Sequence, residues 1–148
     1  MANTYTQIHI QAVFAVKTRL GLINAAWKDN LYKYMTGIVQ ANKHKMLAIN
    51  GMPDHVHSLF LLNPNKAVAD VIKQVKGSCS HEINKQNIIK EKFAWQTGYA
   101  AYSVSESVLD KVFQYIKNQK QHHIKINFQN EYDDFIRLHA LQNEVGNG

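Results

Sequence analysis

The 148-residue chain is 45% apolar and 19% charged, a composition that supports a packed core and excludes a disordered polypeptide. Its 17 Lys and Arg against 11 Asp and Glu give a formal charge of +6, which suits a polyanionic partner without requiring one. Cys79 is the only cysteine, which excludes an internal disulfide and a cysteine cluster for zinc.

The first residues, Met1-Ala2-Asn3-Thr4-Tyr5-Thr6, are polar and lack a charged stretch leading into an apolar run. No apolar stretch approaches the ~20 residues that cross a bilayer. The expectation is one domain over residues 1–148, cytoplasmic and without a membrane partner.

Ile8 to Phe14 alternates, with Ile8, Ile10, Ala12 and Phe14 on one parity and His9 and Gln11 on the other. That predicts a strand with one buried face. Lys17-Thr18-Arg19 follows as a basic loop. Asn24 is placed to cap a helix whose apolar positions are Trp27, Leu31, Tyr34, Met35 and Ile38. Lys45 to Ile49 reads as a second strand. Asn50-Gly51 signals a hairpin, lengthened by Met52-Pro53-Asp54, and His55 to Leu62 forms the third strand.

A second helix is predicted from about Lys66 to about Lys85, with Val68, Val71, Ile72, Val75, Cys79 and Ile83 inward. Gly77 either weakens it or allows a close approach. Phe93 to Tyr102 is the fourth strand. Ser103 and Glu106 have capping-box spacing, so a third helix starts near Ser105 and continues to about His123. A short last helix covers about Glu131 to Leu138. The order is βαββαβ with a C-terminal helical extension, an α+β class. It gives an antiparallel sheet with helices on one face and the other face free.

His55-Val56-His57 opens the third strand. Residues i and i+2 share a face roughly 6.5–7 Å apart, so two imidazoles can converge on one metal ion. Asp54 is either a further carboxylate or a turn residue after Pro53. On the third helix, Leu109, Val112, Phe113 and Ile116 form the buried stripe. Tyr115 and Gln119 are an i, i+4 pair on its edge. Lys111, Lys117, Lys120 and Lys125, with His122 and His123, make this stretch basic and free of acids.

Taken singly, each of these has an ordinary role: a chance H-x-H, a half-buried tyrosine, a solvated glutamine, a charged surface. Together they offer a phenol able to attack phosphorus beside two imidazoles and an amide oxygen able to hold a divalent metal. That mixed nitrogen and oxygen set suits Mg²⁺ or Mn²⁺. No G-x-x-x-x-G-K-[ST] run occurs, so no nucleotide cofactor is expected.

Gly51-Met52-Pro53-Asp54-His55-Val56-His57, Trp95-Gln96, Tyr102-Ser103-Val104-Ser105, Tyr115-Ile116-Lys117-Asn118-Gln119 with His122-His123, and Phe128-Gln129 with Glu131 resemble the single-tyrosine HUH transposases of small bacterial insertion sequences, the REP-associated tyrosine transposase superfamily included. The resemblance runs from about Ile8 to about Leu138. It implies a ferredoxin- or RRM-like sheet with the tyrosine on the C-terminal extension. It implies His55, His57 and Gln119 as metal ligands and Tyr115 as the nucleophile that becomes linked to a 5′ phosphate. It also implies a homodimer, with active sites shared between subunits in many members, and single-stranded DNA with hairpin ends as substrate. Lys17, Arg19, Lys111, Lys117 and Lys120 are the candidate DNA contacts. Lys17-Thr18-Arg19 and Tyr99-Ala100-Ala101-Tyr102 depart from the usual family pattern. Two alternatives stand beside this expectation: a domesticated HUH nuclease acting on palindromic repeats, and an RRM-like module that binds nucleic acid without cutting it.

Overall fold

Val13, Phe14, Val56 and Phe60 are residue types that favour extended backbone. The computed structural model, which describes residues 4–19 and 21–119, places them in the two central strands of a four-stranded sheet. The elements run β1 (His9–Ala15), α1 (Lys28–Ala41), β2 (Lys45–Met52), β3 (His55–Leu61), α2 (Val68–Lys85), β4 (Ala100–Val104) and α3 (Leu109–Lys117). Short 3-10 turns occupy Lys17–Arg19 and Glu106–Val108. The strand order is β2-β3-β1-β4, and every neighbouring pair is antiparallel. This is the ferredoxin/RRM-like arrangement expected from the element order.

The two faces of the sheet carry different cores. Ile10, Ala12, Phe14, Val56 and Phe60 pack against Leu31, Met35 and Val39 of α1 and Val71, Ile72 and Cys79 of α2. On the opposite parity, Ala48, Leu59 and Val104 pack against Ile116 of α3, with Leu109, Val112 and Phe113 around it. The second face is therefore not free, because α3 lies over β2 and β3. An amphipathic helix must bury its stripe, and this face supplies the apolar surface. β1, central in the sheet between β3 and β4, is more buried than its alternation suggests: all seven of its residues are buried.

The connections differ from expectation in ways with clear causes. Asn50-Gly51 does not form the turn. β2 runs on to Met52, so Asn50 pairs with His57 and Gly51 with Val56, and Pro53-Asp54 alone links β2 to β3. Phe93 to Tyr99 is not a strand. Trp95 makes one isolated bridge to Val16, and side chains hold the rest. Asn84 brackets Phe93, donating from Nδ2 to its carbonyl at 2.9 Å and accepting its N–H on Oδ1 at 2.8 Å. Lys76 Nζ donates to the carbonyls of Gln96 and Gly98 at 2.9 and 2.8 Å. Gly98 has φ 86°, a left-handed conformation that ends extended pairing, so β4 starts two residues later.

Smaller corrections follow the same logic. Ser103 lies inside β4, so no capping box forms, and Ser105 precedes the turn into α3 without a side-chain cap. In α1, Tyr34 is 40% exposed and Tyr32 is buried in its place. Asn24 Oδ1 accepts the Ala26 N–H at 2.9 Å, which caps the turn leading into that helix. A Cβ at Gly77 would meet nothing, so this glycine serves no close approach. The continuation of the third helix to His123 and the predicted helix over 131–138 lie outside the described residues. Among the described helices none is long and apolar enough to cross a membrane.

Burial pushes the Cys79 thiol up to about 12, so it offers no thiolate nucleophile at neutral pH. Burial, and then nearby Lys66, holds His44 below the usual histidine range. Its Nδ1 accepts the Asn63 N–H at 2.8 Å, which assigns His44 to structure.

Candidate active site

β3 begins directly after the Pro53-Asp54 turn, and strand alternation then sends His55 and His57 to the α3 face and Val56 into the main core. The neighbours across β1 are small: Ala15 lies opposite His55 and Val13 opposite His57. The two imidazole rings meet edge to face with centroids 5.1 Å apart. Both are buried, His55 completely and His57 at 2% exposure. Asp54 Oδ1 lies 2.7 Å from His55 Nδ1. A carboxylate at that nitrogen favours the proton there and leaves the ring's other nitrogen, Nε2, as the basic one. Asp54 therefore orients His55 as well as serving the turn.

β2 approaches β3 closely here. A Cβ added to Gly51 would run into the His55 carbonyl oxygen and come within 3.0 Å of Val56 Cα. Backbone atoms cannot swing aside as a side-chain tip can. Gly51→Ala is expected to cost about 1–3 kcal/mol in stability and to displace His55. Denaturant unfolding of the purified variant checks this, and an unchanged midpoint would mean the hairpin relaxes freely.

From the other side, Ile116, fully buried, anchors α3 on the sheet. Asn50 Nδ2 donates to the Lys117 carbonyl at 3.1 Å, tying β2 to the end of the helix. This docking places the Tyr115 ring edge to face with His57, centroids 5.6 Å apart. Gln119, also fully buried, donates from Nε2 to the Tyr115 carbonyl at 3.3 Å. The amide oxygen Oε1 is then the end of that side chain suited to a cation. Among the described residues no three His, Cys, Asp or Glu side chains form a metal-holding group. Strand spacing and helix spacing thus bring His55, His57 and Tyr115 into contact within one chain, with Gln119 one turn beyond the tyrosine.

Residues 4–119, a span that holds all four of these side chains, match the family model described as IS200-like transposase. The chain belongs to the IS200-like transposase family. The ISDra2 transposase TnpA of Deinococcus radiodurans is 27% identical over 118 residues, covering 76% of this chain and 84% of that protein. A crystal structure from the same organism, assigned as a transposase, superposes with a TM-score of 0.64 at 25% identity, covering 80% of this chain and 96% of that one. A REP-associated tyrosine transposase bound to a REP hairpin superposes with a TM-score of 0.63, covering 83% of this chain and 73% of that one. At 13% identity this last likeness is one of fold.

Among the described residues, this transposase carries exposed lysines just after β1 and on α3. Lys17 is exposed at the end of β1, next to the Ala15–His55 pair, and its N–H donates to the Ala94 carbonyl at 2.9 Å. Arg19 lies in the same short turn, whose centre, Thr18, has φ 58°. Lys111 is exposed on α3. Lys117 is exposed too, with Nζ 4.9 Å from the centroid of the Phe113 ring on its own helix. Lys120 lies outside the described residues.

Two residues on the site face escape sequence reasoning. Asn50 looks like half of a turn signal but secures α3. Gln11 looks like a solvent-facing strand position but is only 1% exposed. The signal that could have found Asn50 is the apolar stripe on the tyrosine helix, which needs a sheet face to cover.

Proposed function

We propose that this transposase cleaves and rejoins single-stranded DNA at hairpin-bearing element ends, with Tyr115 as nucleophile and a 5′-phosphotyrosine as intermediate. The observation that carries this is the Tyr115 ring held 5.6 Å from His57, beside the His55–His57 pair. The phenol is thereby brought to the only place on this sheet where two buried imidazoles adjoin, among the described residues.

In the forward step the Tyr115 oxygen attacks the scissile phosphorus and gives up its proton. The bond from phosphorus to the 3′ oxygen breaks, and that oxygen leaves as a 3′ hydroxyl after taking a proton. The 5′ phosphate is now esterified to Tyr115. Attack by a 3′ hydroxyl on this ester reverses the step and restores the phenol. One ester replaces another, so no ATP is consumed, in keeping with a sequence that lacks a P-loop.

The donor set fits a divalent metal. Two imidazoles, one of them oriented by Asp54, and the Gln119 amide oxygen would hold Mg²⁺ or Mn²⁺. When bound there, a divalent ion would supply Lewis-acid polarisation of the phosphate and charge stabilisation at the leaving oxygen. The protein's own part is to hold the phenol in place through Ile116 and Asn50. Because Tyr115 and the histidines already meet within one chain, the arrangement supports a site that acts in cis. Homodimer formation would then serve to bring two element ends together and would not be needed to complete a site.

Hairpin ends as substrate are supported by the fold shared with the REP-associated transposase bound to a REP hairpin. Lys17, Arg19, Lys111, Lys117 and Lys120 would neutralise backbone phosphates around the site. Binding should then weaken steadily with salt, with the logarithm of affinity falling by about 0.7 per phosphate contact for each decade of salt on single strands. A fluorescence-anisotropy titration of a hairpin oligonucleotide from low to high salt tests this contact set. The same oligonucleotide incubated with Mg²⁺, with and without chelator, tests the reaction. Cleavage only when metal is available supports the reading, and a chain that binds without ever cleaving contradicts it.

A further inference from the structure

The face of the sheet that carries the histidines holds a fully buried amide that the proposed mechanism leaves unused. Gln11 of β1 pairs with Leu59 on one side and Tyr102 on the other. It shares its parity with Val13, which lies opposite His57. His57 is therefore the diagonal cross-strand neighbour of Gln11, about 7–8 Å away and within reach of a long side chain. Gln11 is 1% exposed, and its Nε2 has no hydrogen-bond partner among the described residues.

The surroundings make that donor expensive. Leu59, Val13 and Tyr102 flank it, and Ile116 packs on Leu59 from above. Leucine or methionine would fill nearly the same volume with no polar atom to desolvate, so packing alone favours them here. A buried donor on the histidine face calls for an acceptor from outside the described residues. The non-bridging oxygens of a phosphodiester are acceptors only and carry the negative charge that strengthens such a bond.

We infer that Gln11 is a further substrate-contacting residue, its Nε2 donating to a non-bridging oxygen of the DNA phosphate engaged beside Tyr115 and His57. This rests on the phosphotyrosine reading above. A donor at that oxygen stabilises charge that grows as the phenol attacks, so its loss acts on the cleavage rate more than on hairpin affinity.

The test uses the full chain with Gln11→Leu and Gln11→Met, and Tyr115→Phe as control. Three quantities are read: Tm, affinity for a hairpin oligonucleotide, and the single-turnover cleavage rate in Mg²⁺. Both Gln11 variants are expected to keep or raise the Tm, because each removes an unpaired buried donor. Both are expected to cleave at least about tenfold more slowly, which is about 1.4 kcal/mol in barrier, with hairpin affinity nearly unchanged. A smaller rate loss overturns the assignment. So does a lowered Tm in both variants, which would mark Gln11 as a structural amide. Failure of the underlying reading looks different: Tyr115→Phe would then cleave like the parent, whatever the Gln11 variants do.

Discussion

Tyr115→Phe is expected to lower single-strand cleavage by roughly a thousandfold or more while leaving hairpin binding nearly intact. The substitution removes one oxygen and keeps the ring. That ring is half-buried, rests against His57, and joins the cluster around Leu59 and Ile116, so its packing survives. The stability cost is limited to whatever hydrogen bonding the hydroxyl makes, about 0.5–1.5 kcal/mol. Chemistry and fold therefore separate cleanly in this variant. A gel assay of cleavage, run beside a thermal melt and a binding titration, measures all three. Cleavage at the parent rate would remove Tyr115 from the mechanism.

His57→Ala carries the second large effect, and here the two consequences must be kept apart. Truncating a side chain that is only 2% exposed opens a cavity and costs about 2–5 kcal/mol. Against a typical domain stability of about 5–15 kcal/mol, the variant stays folded under mild conditions. The loss of the proposed ligand imidazole, and of the surface against which Tyr115 rests, should reduce metal-dependent cleavage by roughly a hundredfold or more. His57→Gln, closer in volume, limits the packing loss and should still cleave poorly. The measurement is cleavage rate against Mg²⁺ and Mn²⁺ concentration at a temperature where melts show each variant folded. A variant that cleaves with the parent's metal dependence would place the metal site elsewhere.

The parts of this molecule that local patterns specify were legible in its sequence. The inward positions of α2, from Val71 to Ile83, follow a helical period that nothing nearby disturbs. His55 and His57 share a face because strand alternation leaves no other choice. Tyr115 and Gln119 stack because they stand one turn apart. What was not legible depends on contacts between distant segments. The Asn50-Gly51 pair carries a strong turn signal, yet Pro53-Asp54 takes the turn. Gly51 is needed instead as a gap that lets β2 pass close to His55. Phe93 to Tyr99 has strand-like composition, but Asn84 and Lys76, both from α2, hold its carbonyls in an irregular path. Asn50 read as half of a turn signal because the position of α3 over the second face of the sheet cannot be derived from spacing along the chain. That one packing choice turns an open sheet face into a closed site, and it explains why the site's supporting residues were harder to see than its chemistry.

The proposed reaction turns on the covalent joining of Tyr115 to DNA. Incubating the full chain with a single-stranded hairpin-bearing element end and Mg²⁺, denaturing the mixture, and mapping any surviving protein–DNA adduct by peptide mass spectrometry tests it directly. The expected product is a denaturation-resistant adduct whose nucleotide mass sits on the peptide containing Tyr115, through a 5′ phosphate, with a free 3′ hydroxyl on the released fragment. Cleavage without an adduct, or an adduct on any other residue, would contradict it.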